Sequence, residues 1–247
     1  MTPDDRDDAT APEQRVTIWE RLDRPGRGPR PTLTHDQIAR AGVEIADEQG
    51  LDAVSMRRLA ERLGVATMAL YRYVSSKDDL LELMIDAVSA EIELPPDAGW
   101  RDLARSFAHQ LRAVGLRHPW LTAAFARVPH ALTPNLIARV EDILHSLDGL
   151  ALDVDAMMAV FGTVNAFVRG ATAGEVVQRE AARKEGRESE EETKLAHLPY
   201  VRWLMGLDRY PTLTRYIIEG SNEDDAQWQF EFGLECVLDG IGTRLGI

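Results

Sequence analysis

Between Ser55 and Lys77 the chain reads SMRRLAERLGVATMALYRYVSSK, a run whose side chains suit a polyanion with readable edges. The guanidinium fork of Arg57 can reach a guanine edge or a phosphate. Thr67 offers a hydroxyl, while Met68 and Ala69 offer apolar contact to a thymine methyl. Tyr71 and Tyr73 can give their hydroxyls to phosphates with their rings on a groove wall. Lys77 adds an ammonium beside the backbone N–H groups of a helix start. Arg72 can turn to phosphate or to solvent. None of this makes or breaks bonds. It is the chemistry of neutralising phosphates and sampling base edges. Plainer roles stand beside it: Met68 and Ala69 as packing, Tyr71 as part of a core, Arg58 and Arg62 on a solvated side.

The positioning elements are legible in the same run. Ser55 can cap a helix on which Leu59, Ala60 and Leu63 share a face. Gly64 stops that helix, because glycine takes a left-handed turn at little cost. Val65 anchors the turn. Thr67 to Tyr73 then form a second short helix with Leu70 and Val74 turned inward. Two short helices at a glycine corner describe a helix-turn-helix, whose second helix can enter the major groove. Upstream, Thr34 and Gln37 fit a capping box, opening a helix with Ile38, Ala41, Ile45 and Ala46 inside and Gly50 at its end. Downstream, Ser76 caps a long helix carrying Leu80, Leu81, Met84, Ile85, Val88 and Ile92, which ends before Pro95-Pro96.

The pattern LxxxxGV followed by TMALYRYVSSKDDLL resembles the DNA-binding domain of the TetR family of transcriptional repressors, over residues 34–88. The resemblance implies an all-α fold, with an N-terminal three-helix reading domain and a larger helical ligand-binding and dimerisation domain. It implies a homodimer on a palindromic double-stranded DNA operator, released by a small-molecule effector. A position matching Arg57 commonly touches DNA in that family, and the helix after Ser76 links head to body. A ligand-insensitive regulator or an activator is the alternative within this class, and an all-α enzyme the alternative outside it.

Composition bounds these readings. The chain has 247 residues, 45% hydrophobic and 28% charged, as in a globular protein with a real core. Its net charge of −13 argues at first against a nucleic-acid partner, but residues 24–77 hold nine Arg/Lys against six Asp/Glu, a net of +3. The remainder therefore carries −16, so only the head would turn toward DNA. Cys236 is the lone cysteine, which excludes an intrachain disulfide and suits a cytoplasmic setting. There is no membrane-spanning apolar run and no signal-peptide core. The six histidines show no i,i+4 pairing, and no hydrolase, nucleotide-loop or dinucleotide motif is present, so no cofactor, metal site or catalytic residue is expected.

Residues 1–23 read as a disordered acidic N-terminus, with a brief helical turn at Ile18, Trp19 and Leu22, and 24–33 as a basic Pro/Gly arm. The arm is either a linker or a minor-groove probe. Residues 34–94 form the reading domain and 100–247 the body. Body helices are expected around Leu103–Val114, Pro119–Arg127, Pro134–Leu147 with Thr133 as cap, Met157–Arg179, Leu198–Leu207 and Gln227–Leu245. The stretch from Arg179 to Lys194 reads as mobile or as a solvated helix. Polar groups on apolar faces nominate an effector site: Gln110 near Phe107, Asn165 and Arg169 near Phe161, with Trp120 and Phe125 as walls. Each of these equally suits core packing. Gly162, Ala166, Gly170 and Gly174 make a small-residue stripe, and Phe230, Leu234, Val237 and Ile241 an apolar face on the last helix. Together they suit a four-helix dimer interface or packing within one chain.

Overall fold

The computed structural model describes residues 16–23, 33–186, 190–207, 209–222 and 225–247. The acidic stretch before Val16, the arm of residues 24–32 and part of the charged 179–194 run lie outside them. The described residues form twelve α-helices and no strand.

The head begins with a short helix, α1 (Ile18–Leu22), opened by a Thr17–Glu20 capping box. This is the brief turn expected at Ile18, Trp19 and Leu22, within a stretch otherwise read as disordered. Ile18 is fully buried, the Trp19 indole N–H donates to Glu82 at 2.9 Å, and Arg21 pairs with Asp79 at 2.6 Å. Three anchors hold one turn of helix that would not persist alone. Helix α2 (His35–Gln49) has the Thr34–Gln37 capping box in both directions. A 3-10 turn (Leu51–Ala53) leads into α3 (Met56–Leu63), where the Ser55 hydroxyl accepts the Arg58 N–H. Helix α4 (Thr67–Leu70) is a single turn followed by hydrogen-bonded turns to Tyr73, shorter than the seven residues expected. Helix α5 (Lys77–Ser89) starts at the Ser76 cap. The α2–α5 contact is close because residue 42 is glycine: a Cβ there would stand 2.8 Å from Met84 Sδ.

The body continues with α6 (Trp100–Arg117), α7 (Leu121–Arg127), α8 (Pro134–Ser146), α9 (Val154–Lys184), α10 (Glu190–Met205), α11 (Pro211–Glu219) and α12 (Ala226–Leu245). Helix α9 runs five residues beyond Arg179, so the charged run begins as regular helix. Helix α11 was not expected. Pro211 reads as a stop, yet proline at the first helical position costs nothing because that N–H is unpaired anyway. Thr133 does not cap α8. Its hydroxyl is fully buried without a hydrogen-bond partner, and Pro134 alone sets the start.

One continuous apolar cluster runs from Ile18 through Leu59, Leu70 and Met84 to Phe107, Val168 and Leu234, so head and body share a core. Across the body, Glu235 on α12 accepts from Arg105 Nε at 2.8 Å and from Arg101 Nη2 at 2.9 Å on α6. Hydrogen bonds from Arg105 first, then Arg101, hold its carboxyl down to about 2. A depressed carboxylate stabilises the fold above its unfolded value of 4.5, and that contribution disappears as pH falls toward 2. Glu235→Gln is therefore expected to flatten the fall in Tm between about pH 5 and about pH 3. At neutral pH it should cost under about 1 kcal/mol, because solvent screens so exposed a pair. Thermal melts of both proteins across this range check it.

Candidate nucleic-acid interface

The corner between α3 and α4 is held by backbone geometry. Gly64 sits at φ 67°, and the Val65 N–H reaches back to the Ala60 carbonyl at 3.0 Å. Leu59, Leu70 and Val74 are fully buried beneath it. Met68, 75% exposed, and Tyr71, 47% exposed, stand outward, with Arg72 and Lys77 also exposed. Thr67 and Ala69 are half-buried at the edge of the same turn. Arg57 projects from α3, with only a 3.7 Å approach to Glu61.

The other cations of the head are committed elsewhere. Arg58 donates to Gln49, Arg62 is held by Glu44 and Glu48, and Arg40 by Asp36. All those partners lie on α2, away from the α4 turn. Arg57, Arg72 and Lys77 thus form a positive rim around Met68 and Tyr71. At the α5 start the Ser76 hydroxyl takes the Asp79 N–H and Asp79 takes the Ser75 N–H at 2.7 Å. An anion there would meet the Lys77 ammonium rather than a bare helix end.

Tyr73 is corrected. It is half-buried, its hydroxyl accepts the Leu33 N–H at 3.4 Å, and its ring meets His35 edge-on at 5.5 Å. It ties the α4 turn to the α2 start instead of facing a groove. Burial pushes the His35 imidazole below its ordinary value.

The nominated effector residues divide. Phe107 and Phe161 meet at 5.8 Å between α6 and α9. The Arg169 guanidinium lies 4.7 Å over the Phe125 ring, and Asn165 is half-buried on the same side of α9. The structure thus shows two separate pairs, with Asn165 between Phe161 and Arg169 in the register of α9. Gln110 and Trp120 are not available walls. The Gln110 amide binds the Glu93 backbone in both directions, and the buried Trp120 donates its indole N–H to Asp47 at 2.7 Å. A cleft of about 660 Å³ lies instead at the joint, bordered by Trp19, Val43, Leu83, Asp86, Glu91 and Asn135. Local pattern carries no sign of it, because those residues come from four distant stretches.

Gly162, Ala166, Gly170 and Gly174 are exposed, and a Cβ at any of the three glycines would meet nothing within 4 Å. By contrast, a Cβ at Gly233 would stand 2.7 Å from the Phe167 ring. Among the described residues, nothing packs against the glycines of the α9 stripe. The apolar face named on α12 is its inner face: Phe230 and Leu234 are buried, Val237 and Ile241 half-buried. Helix α12 is apolar on two sides, so periodicity alone could not say which one meets its own core. Its outer side carries Trp228 and Phe232, stacked at 5.2 Å, with Cys236 and Gly240.

A three-helix reading corner with a cationic rim, set on a larger all-helical body, is the build of a DNA-binding transcriptional regulator. Residues 38–84 match the domain of bacterial regulatory proteins of the tetR family, and 93–245 match the tetracyclin repressor-like C-terminal domain. The chain belongs to the TetR family. It is 35% identical to the HTH-type transcriptional repressor DrrR1 of Streptomyces coeruleorubidus, over 91% of this chain and 83% of that one. An HTH-type transcriptional regulator of Saccharopolyspora erythraea is 33% identical over 93% of each chain. Among solved structures it is similar to ActR of Streptomyces coelicolor in complex with actinorhodin, at 28% identity and TM-score 0.70, covering 85% of this chain and 95% of that one. The protein is thus a regulator of transcription and not an enzyme.

Arg57→Ala and Tyr71→Ala are each expected to weaken binding to a selected duplex about tenfold, with Tm shifted by less than about 2 °C. Lys77→Ala should lower the slope of log affinity against log salt by about one. Anisotropy titrations at several salt concentrations measure both. Wild-type affinity in either alanine variant would remove that residue from the interface.

Proposed function

We propose that the chain is a homodimeric repressor. In this reading it occupies a palindromic operator in the cytoplasm and leaves it when a small-molecule effector enters the body. The observation that carries this is the division of head cations. Those on the α2 side are held by close carboxylates, while Arg57 on the rim has only the longer, exposed approach to Glu61. Two heads are required because one exposed turn reads only a few base pairs. The outer sides of α9 and α12 suit the pairing, since a glycine row with nothing opposite permits close helix approach. The effector would lodge beside α6 and α9, near Phe107, Phe161, Asn165 and Arg169; the similar ActR has been solved in complex with a small molecule, actinorhodin. A ligand that fits one head spacing better than the other shifts the population away from the DNA-competent form.

Duplex selection by the full chain, followed by footprinting on the DNA flanking its own gene, tests the operator. Two protected half-sites about one helical turn apart are expected. Sedimentation at micromolar concentration should show a dimer. Ala166→Arg, placed in the stripe, should give monomers with operator affinity reduced about a hundredfold or more. A wild-type monomer, or an Ala166→Arg protein that still dimerises through α9, would refute the pairing.

A further inference from the structure

Between head and body lies a polar cluster that the reading surface does not include. Asp47 stands near the end of α2, in the head. His118 caps α6 and Trp120 opens α7, both in the body. Glu91 follows α5. One Asp47 oxygen, Oδ1, lies 2.8 Å from His118 Nδ1 and accepts the Trp120 indole N–H at 2.7 Å. The other His118 nitrogen, Nε2, lies 3.1 Å from Glu91 Oε1, whose second oxygen takes Arg117. His118 is 4% exposed and Trp120 5%. A single imidazole thus spans from a head carboxylate to the carboxylate that ends the connecting helix.

We propose that Asp47 and His118 are positioning residues for operator binding: this latch fixes the angle at which the body holds the reading head. Three features support a positioning role over a merely stabilising one. Its members come from α2, the end of α5 and the α6–α7 link, so it crosses the joint and lies within neither core. Buried hydrogen bonds are directional and costly to leave unmade, so the latch resists rotation as well as separation. Other polar ties cross the joint, among them exposed Arg127–Asp52, part-buried Asn135–Asp86 and Arg139 to the Ile92 carbonyl, but His118 and Trp120 are more deeply buried than any side chain making these ties. The 3-10 turn after α2 connects Asp47 to the reader, with Leu51 and Val54 buried in the same apolar cluster as Leu59 of α3.

The inference rests on the proposed reading of paired heads on one operator, and its test separates the two. The full chain, with His118→Leu and Asp47→Asn variants, is titrated with a duplex selected by the wild type. The same duplex with one base pair inserted at its dyad is the second probe. Wild type should lose about tenfold or more to the insertion, because fixed heads cannot follow a changed spacing. The variants should bind the original duplex about tenfold more weakly yet lose less than about threefold to the insertion, at an unchanged salt slope. A loss of stability alone would not relax spacing. Variants that keep the wild-type insertion penalty overturn the proposal. Should His118→Leu fail to fold, Asp47→Asn decides, since that side chain is isosteric and a third exposed. Amide hydrogen exchange on the DNA-free proteins is the second measurement, with a rise confined to the last turn of α2 and residues 118–121 expected. If wild type selects no duplex, the operator reading fails, and exchange unchanged from wild type would then overturn the latch as well.

Discussion

Burial on both sides of α5 is the constraint on which the remaining structure depends. Leu80, Leu81, Met84, Ile85 and Val88 are each at most 1% exposed, although a helix spreads such positions around much of its circumference. One side lies on α2, so close that a Cβ at residue 42 would displace the Met84 side chain, and the other faces α7 and α8. Each such side chain contributes roughly 1.5–3 kcal/mol when fully buried. A rotation of α5 would open one core to keep the other. The head therefore moves with the body's first helices or not at all, and a change inside the body is transmitted through α5 instead of being absorbed by a flexible linker.

Charge works by placement more than by amount. Residues 33–77 hold six basic and six acidic side chains, so this part of the head has no net charge. Its positive surface arises because α2 gathers the carboxylates. Asp36, Glu44 and Glu48 hold Arg40 and Arg62 on one side, leaving Arg57, Arg72 and Lys77 on the other. The strongly acidic body adds direction, since it repels a polyanion from every approach except the one led by the rim. A neutral domain with segregated charge can grip phosphate where a uniformly mixed one cannot.

Features encoded by neighbours in sequence were legible, and features made by distant chain segments were not. The capping box at Thr34, the caps at Ser55 and Ser76 and the left-handed Gly64 all act within four residues, and the structure has each of them. Tyr73 was misread because its partners, Leu33 and His35, lie some forty residues upstream. Gln110 was read as a polar group facing a ligand and Trp120 as a cavity wall, but Glu93 and Asp47 lie opposite them. The inner and outer sides of α12 could not be told apart, because both are apolar and only the position of α9 chooses between them. Thr133 shows the converse error. A residue type that favours capping sits at the right position, but burial turns its hydroxyl away from the helix start.

The size of the reading turn explains why so much structure stands behind it. Helix α4 has four residues, and Met68 and Tyr71 are its exposed large side chains. Contacts to so few bases provide little discrimination, so in the proposed dimer most of it would come from where the second head falls along the duplex. Spacing discriminates only as sharply as the heads are held. A flexible joint would let each head find its own half-site and would erase the difference between right and wrong separations. Exposed ion pairs could not hold such an angle, because solvent competes for each partner. An apolar helix buried on two sides, with hydrogen-bonded groups enclosed beside it, can do so. In the proposed dimer the joint would thus contribute to sequence recognition alongside the side chains facing the duplex, and from the same physical cause: the recognition turn is too short to act alone.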